Sequence, residues 1–463
     1  MIRKLSAGDR FIISNLFVAF VFFWIIRAIY NFTAIPNEQN IPFLTIIAIL
    51  FFIINLTLSY FIFKKERGKI NFSWEFVLNL ALLFLIISTV LSVYTSIVAT
   101  VAFAGLVIIY ASKNKIHFQP HPLFYFLVAY YLIQYIGLIW SLDPQNGFRF
   151  VGKGLSFIIA PLAFSFYSIS EDEKKKLLRI FFRFLEIYLF MILLAYCYQV
   201  YFHKVSFGIG FHLKKNYFCT PVPPGVDYHL LLGWAGYNHP TFVSFILTLM
   251  YGVGFYLWKN DHATYFNRIS SLEIFFYCIA TAIVILLLQS RIGMIMFPIG
   301  IFLTLLFNLR KNKKLVISLF IVSVILFSLG SFYVYKNYRS YFMDRPREMQ
   351  TEIVLSFLKD HYLLGTGTGG MKVLIPWYPT AHNQFLGDLF HLGIPGLLLL
   401  LSLMGSSFYF AIKDKNFLLL YFLVIYFIMM QIEMPLSLQK GITYYTLFVC
   451  LFLNWGKKAI TKK

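Results

Sequence analysis

The chain has 463 residues, of which 59% are hydrophobic, 20% are aromatic and 13% are charged. Because soluble domains carry roughly 25% charged residues, this composition excludes a water-soluble globule, and four cysteines exclude a disulfide scaffold. Apolar runs of about 20 residues that do not alternate with the period of barrel strands predict an all-α, polytopic helical membrane protein. We expect one integral membrane domain over residues 1–463.

Fourteen apolar runs are candidates for helices that cross the hydrocarbon core. The predicted spans are residues 11–31, 42–63, 74–92, 95–112, 122–140, 150–168, 178–201, 239–258, 271–289, 292–308, 315–335, 393–412, 417–433 and 441–455. The first run contains Arg27 and lacks a small-residue cleavage site, so we expect an uncleaved span and not a signal peptide. Each of the stretches 74–112 and 271–308 is long enough for two spans but could be miscounted, so we expect about 12 to 14 spans in total.

The formal net charge is +21, with 40 Lys and Arg residues against 19 Asp and Glu residues. Most of the excess lies in clusters on alternate connections between spans, as the positive-inside rule requires when both termini are cytoplasmic. The clusters are residues 1–4, 64–69, 112–115, 171–179, 310–314, 413–415 and 456–463. The rule accounts for this charge without nucleic acid, so we expect membrane lipids and no nucleic acid as partners.

Two long loops, 202–238 and 336–392, then lie on the outer, periplasmic side. The outer segments still carry basic residues, which oppose the positive-inside rule and indicate a polyanionic ligand at the outer leaflet. These residues are Arg149, Lys153, Lys204, Lys214, Lys215, Arg291, Lys336, Arg339, Arg345, Arg347, Lys359 and Lys372. Within the larger loop we predict an amphipathic helix over 347–360, followed by a flexible turn over the glycine-rich residues 365–370.

The most informative segment starts at His382. With Thr380 as N-cap, His382 and Asn383 fall in the first turn of a helix whose apolar face directs the imidazole into the bundle, while Asp388 points away. A helix N-terminus disfavours imidazolium and offers free N–H groups to an anion. A neutral base beside an anion seat suits transfer from a phosphorylated donor to a hydroxyl. The alternative is a hydrogen-bonded histidine without chemistry.

His382 and Asn383 are followed after nine residues by Gly393 and, three positions on, by Gly396. This pattern resembles the signature of the O-antigen ligase and O-antigen polymerase superfamily. The resemblance extends over roughly residues 120–412.

Three weaker motifs agree with the family in order along the chain. They are Trp-Ser-Leu-Asp-Pro at 140–144, Ser290-Arg291, and Arg347 followed by Leu-Leu-Gly at 363–365. Two positions depart from the family pattern, because Thr351 replaces an aromatic residue and Tyr362 replaces a proline. It is therefore open whether Arg345 or Arg347 corresponds to the arginine of the family pattern.

The resemblance implies a GT-C-like, metal-independent, inverting glycosyltransferase in the bacterial inner (cytoplasmic) membrane, with a periplasmic active site and no cofactor. Its donor would be a glycan on undecaprenyl diphosphate. The acceptor would be lipid A-core for an O-antigen ligase, which we favour because the His motif fits that signature. A second lipid-linked glycan, as for a polymerase, and a protein acceptor stay open.

The resemblance also implies residue roles. His382 would be the general base, and Arg347 and Arg291 would hold the diphosphate and stabilise its developing charge. Asn383, Arg345, Arg149 and Lys153 would contact the substrates. The alternatives without a catalytic role are an arginine at the membrane–water interface for Arg291 and surface ion pairs for Arg345 and Arg347. Weaker candidates are Lys214, Lys215, Asn238 and His239.

A polysaccharide flippase or transporter is the alternative from another class. Such a protein is expected to carry ionisable groups near the membrane midplane or internally repeated halves. Only Glu186 and Arg27 lie well inside predicted spans, and the sequence contains no evident repeat. The sequence therefore favours an enzyme.

Overall fold

The computed structural model describes residues 74–91, 93–202, 239–260, 269–288, 290–309, 345–375, 381–453 and 455, with isolated positions between 314 and 336. Within these residues the chain forms helices and turns and no strand, which confirms the predicted all-α class. The helices are α1 Trp74–Leu91, α2 Val93–Lys113, α3 Leu123–Ile136, α4 Pro144–Lys153, α5 Ser156–Phe166, α6 Glu171–Phe202, α7 Pro240–Asn260, α8 Ser271–Leu287, α9 Arg291–Leu309, α10 Arg345–His361, α11 Met371–Leu374, α12 Gln384–Lys413, α13 Phe417–Met430 and α14 Gln439–Phe452.

Among the described residues, six helical stretches are long and apolar enough to cross a membrane. They are α1, α2, the stretch Pro144–Phe166 that joins α4 to α5, α7, α9 and α12, and α3, α8 and α13 are shorter apolar helices. The predicted span 150–168 is therefore divided between two helices, and the amphipathic helix predicted over 347–360 is present as α10. The predicted spans 11–31 and 42–63, essentially all of 315–335, and the loop 202–238 fall outside the described residues.

Aromatic contacts give the relative directions of the central helices. The rings of Tyr251 on α7 and Phe297 on α9 lie 5.6 Å apart, and Lys259 binds Asn308 near the other ends of the same helices, so α7 and α9 are parallel. The rings of Phe245 on α7 and Tyr426 on α13 lie 5.6 Å apart, and α13 runs antiparallel to both. The starts of α7 and α9 and the end of α13 thus meet at one end of the bundle, which we call the His382 end.

The glycine-rich residues 365–370 are not the flexible turn that the sequence suggested. The Leu142 N–H donates to Thr366 O at 2.9 Å, and the Thr366 N–H donates to Phe390 O at 2.8 Å. The Trp140 indole donates to Leu364 O at 2.8 Å. These bonds join the 140–144 motif, the glycine run and the first turns of α12 into one unit, which we call the glycine clamp.

Glycine is required in the clamp because two backbones touch there. Gly367 has φ +75°, and a Cβ at this position would lie 2.3 Å from Ser141 Cα. Gly393, where α12 is kinked, has φ +63°, and its Cβ would lie 2.1 Å from Leu363 O. Both the left-handed conformation and the closeness of the neighbouring backbone exclude a side chain.

We predict that Gly367→Ala lowers the stability of the purified protein by at least about 2 kcal/mol, because backbone atoms must move apart. The measurement is thermal unfolding in detergent. Gly105→Ala is the matched control, since nothing lies within 4 Å of a Cβ at that helical position. Equal melting of the two variants contradicts the tight packing of the clamp.

Candidate active site

His382 lies just before α12 and not within its first turn. The helix begins at Gln384, and the side chain of Asn383 caps it by accepting the Leu386 N–H at 3.0 Å. The expectation that His382 and Asn383 lie inside the helix was therefore wrong, because Asn383 itself supplies the cap. His382 has φ +49°, a left-handed conformation that a residue with a Cβ rarely adopts and that persists only where its surroundings impose it.

Three hydrogen bonds fasten the His382 segment to residues 431–436, which follow α13. The Asn383 Nδ2 donates to Gln431 O at 3.2 Å, and the Leu436 N–H donates to Gln384 Oε1 at 2.9 Å. Between them, the Ala381 N–H contacts Met434 Sδ at 3.3 Å. These contacts fix the position of Glu433 relative to His382.

The carboxylate of Glu433 joins His382 to Arg347. Its Oε2 lies 3.8 Å from His382 Nδ1, and its Oε1 lies 3.4 Å from Arg347 Nη2. Because one carboxylate spans the two groups, the imidazole and the guanidinium lie no more than about 10 Å apart. The side chains of His382 and Glu433 are 10% and 11% exposed, whereas that of Arg347 is 33% exposed. A partly exposed guanidinium and a nearly buried imidazole thus face one carboxylate.

The charges around Glu433 keep it ionised. Burial on its own raises the pKa of Glu433, but the nearby His382, His239 and Arg347 hold that pKa below its usual value. The site therefore contains a carboxylate at neutral pH.

His239 is near enough to Glu433 for their charges to affect each other, and it caps α7. Its backbone oxygen accepts the Phe242 N–H at 2.9 Å, and its Nδ1 accepts the Thr241 N–H at 3.4 Å. His239 is exposed at the start of α7, but the protein atoms around its ring lower its pKa; Glu433 raises this pKa, and Arg347 and His382 lower it. His239 is therefore neutral at neutral pH.

Arg291 is the first residue of α9, at the His382 end of the bundle. The Ser290 hydroxyl accepts the Gly293 N–H at 3.2 Å, and a Cβ on Gly293 would lie 2.6 Å from Ser244 on α7. The starts of α7 and α9 are thus in contact, so Arg291 and His239 begin neighbouring parallel helices.

Three of the other predicted substrate-binding residues, Asn383, Arg149 and Lys153, have described side chains. Arg149 and Lys153 are exposed on α4, and within the described part of the chain no hydrogen bond or ion pair links either of them to the site. The Arg345 side chain lies outside the described residues. Asn383 caps α12, and this bond fixes its amide oxygen.

Asp388 points into the protein and not away from it. It accepts a hydrogen bond from the Tyr130 hydroxyl at 2.6 Å and another from Gln384 Nε2 at 2.8 Å. The expectation was wrong because these two donors satisfy the hydrogen-bonding capacity of the carboxyl group inside the bundle. The face of α12 that carries Asp388 is therefore packed against the protein as well. The network anchors α12 to α3 beneath the site.

Sequence reasoning did not identify Glu433, and it gave little weight to His239. The available signal for Glu433 was an acid that closes the apolar run 417–433 directly before Met434 and Pro435. Among the described residues, no group of three or more His, Cys, Asp or Glu side chains is placed to hold a metal ion.

Helices long and apolar enough to cross a membrane, together with an imidazole, a carboxylate and a guanidinium at one end of the bundle, are those of a membrane protein with a polar site at the ends of its helices. Residues 276–401 match the family model described as O-antigen ligase. The matched segment contains Arg291, Arg347 and His382, and Glu433 lies beyond it. No curated protein matches the chain.

The family match confirms the predicted resemblance to the O-antigen ligase and polymerase superfamily over these residues. It indicates a glycosyl-transfer enzyme that acts on lipid-linked glycans. The match does not distinguish a ligase from a polymerase.

We predict that Glu433→Gln removes part of the acid sensitivity of the fold. Because folding lowers the pKa of Glu433, its carboxylate stabilises the fold above the ordinary glutamate pKa of about 4.3, and this contribution is lost as pH falls through the lowered value. Melting temperatures between about pH 6 and pH 3 should therefore fall less in the variant than in the wild type. If the melting temperatures of the wild type and the variant fall equally with pH, the stabilisation of the Glu433 carboxylate by its neighbours is contradicted.

Proposed function

We propose that the protein transfers a glycan from undecaprenyl diphosphate to an acceptor hydroxyl at the outer face of the bacterial inner membrane, as an O-antigen ligase. The observation that supports this most strongly is the carboxylate of Glu433, which lies between a histidine base and an arginine cation. Both of these residues belong to motifs that resemble the superfamily.

His382 serves as the general base. Its Nδ1 faces Glu433, and we assign the acceptor hydroxyl to Nε2, the other ring nitrogen. A carboxylate at Nδ1 orients the ring and stabilises the imidazolium that forms when Nε2 takes the proton, as in other base–carboxylate pairs. Glu433 is thus a positioning residue.

The transfer is a direct displacement at the anomeric carbon. The acceptor oxygen forms the new bond on the face opposite the diphosphate while its proton passes to His382 Nε2. The bond between the anomeric carbon and the phosphate oxygen breaks, and its electron pair leaves with the diphosphate. One displacement inverts the configuration of the donor sugar.

Arg347 and Arg291 stabilise the diphosphate as it leaves. A guanidinium presents a planar fork of donors that matches phosphate oxygens, and donors already in place lower the barrier where charge develops. Arg347 contacts Glu433 at 3.4 Å and Ile432 O at 3.5 Å, so its guanidinium lies beside the carboxylate that faces His382.

We predict that His382→Ala lowers the transfer rate by about 10² to 10⁴-fold, the usual contribution of a general base, without reducing binding of the donor. The measurement is transfer of a labelled glycan by the purified protein in proteoliposomes. His361→Ala is the control, because this exposed histidine stacks on Phe357 at the far end of α10. A His382→Ala variant that transfers the glycan at the wild-type rate refutes the assignment of His382 as the base.

A second prediction concerns metal ions. Because arginines neutralise the diphosphate in this mechanism, transfer should be unchanged in a chelating buffer. A complete loss that Mg²⁺ or Mn²⁺ reverses refutes the metal-independent mechanism.

The acceptor is tested by supplying one donor with each acceptor in turn. A ligase joins the glycan to lipid A-core. Lengthened lipid-linked chains, with no product on lipid A-core, identify a polymerase instead.

A further inference from the structure

We propose that His239 contacts the leaving diphosphate and donates a hydrogen bond to it from Nε2. The inference rests on the proposed function and adds to it a third group that binds the donor. His239 is contributed by α7, an element that precedes the matched segment 276–401.

The packing of α7 against α13 and α14 brings His239 to the site. The rings of Phe242 and Tyr444 lie 5.9 Å apart, and the Tyr426 hydroxyl donates to Gly441 O at 3.0 Å. These contacts set the first turn of α7 beside the segment that links α13 to α14. His239 directly precedes that turn, and Glu433 lies in that segment.

The hydrogen bonds of His239 determine which nitrogen can donate. Nδ1 accepts the Thr241 N–H at 3.4 Å, so in the neutral ring the proton is on Nε2. Since Nδ1 is directed at the helix backbone, Nε2–H lies on the opposite side of the ring. A fixed N–H donor beside Arg347 suits an anionic ligand.

The surrounding backbone favours negative charge at the same place. α7 and α9 are parallel helices of 21 and 19 residues whose starts touch where Gly293 meets Ser244. Both helix dipoles therefore present their positive ends at the His382 end of the bundle. Arg291 begins one helix and His239 caps the other, so a diphosphate between them meets two side chains that carry N–H donors.

His239 acts on the leaving group without exchanging a proton. When the anomeric C–O bond breaks, the electron pair stays on the phosphate oxygen, and the Nε2–H bond shortens as negative charge grows there. The acceptor proton still goes to His382. His239 therefore changes the affinity for diphosphate as well as the rate.

The test is direct binding of farnesyl diphosphate, which carries the same head group on a short prenyl chain, to the purified full-length protein. His239→Asn keeps the cap of α7, because asparagine caps helices well, but its short side chain cannot reach the ligand. We expect about tenfold weaker binding, as for a lost hydrogen bond to a charged group. His239→Gln, whose longer amide can cap and donate, should recover most of the affinity.

His361→Asn is the matched control and should bind as the wild type does. Unchanged affinity for farnesyl diphosphate in His239→Asn overturns the inference and leaves the proposed function intact. An equal loss of affinity in His239→Asn and His239→Gln also overturns it, because such a loss indicates a structural role for His239. A wild-type protein that does not bind the diphosphate contradicts the proposed function as well.

Discussion

The arrangement of the site depends on one shared carboxylate. A buried carboxylate is costly unless cations or donors compensate it, and Glu433 meets this need with Arg347 from α10 and His382 from the start of α12. Removing either side chain leaves the Glu433 carboxylate with less compensation for its burial. The positions of the His382 imidazole and the Arg347 guanidinium are therefore coupled through Glu433. Three distant parts of the chain are thereby held at a single point.

This ion-pair cluster is supported by a rigid frame. The glycine clamp fastens the loop after α10 to the 140–144 motif and to α12, and the Asp388–Tyr130 bond anchors α12 to α3 from below. The left-handed backbone of His382 is tolerated because segments on both sides of it are fixed. Motifs that look separate in the sequence are thus mutual packing partners, and His382 and Arg347 both contact Glu433.

The fold class was predictable because apolar runs of membrane length are a local property of the sequence. The resemblance made His382, Arg291 and Arg347 candidates, and two of them, His382 and Arg347, contact the same carboxylate. Glu433 and His239 were not predictable, because their significance lies in contacts between residues far apart in the chain, and Asp388 was misplaced because its partner Tyr130 lies 258 positions away. The start of α12 was misplaced because asparagine and threonine are both acceptable caps.

The most direct test of the shared carboxylate is a double-mutant cycle between Glu433→Gln and His382→Ala, measured as single-turnover glycan transfer. If Glu433 acts through the base, its substitution lowers the rate strongly in the wild type and much less when His382 is already absent. If Glu433→Gln lowers the transfer rate by the same factor in the wild type and in His382→Ala, the carboxylate and the imidazole act independently. That result contradicts a role for Glu433 that acts through His382.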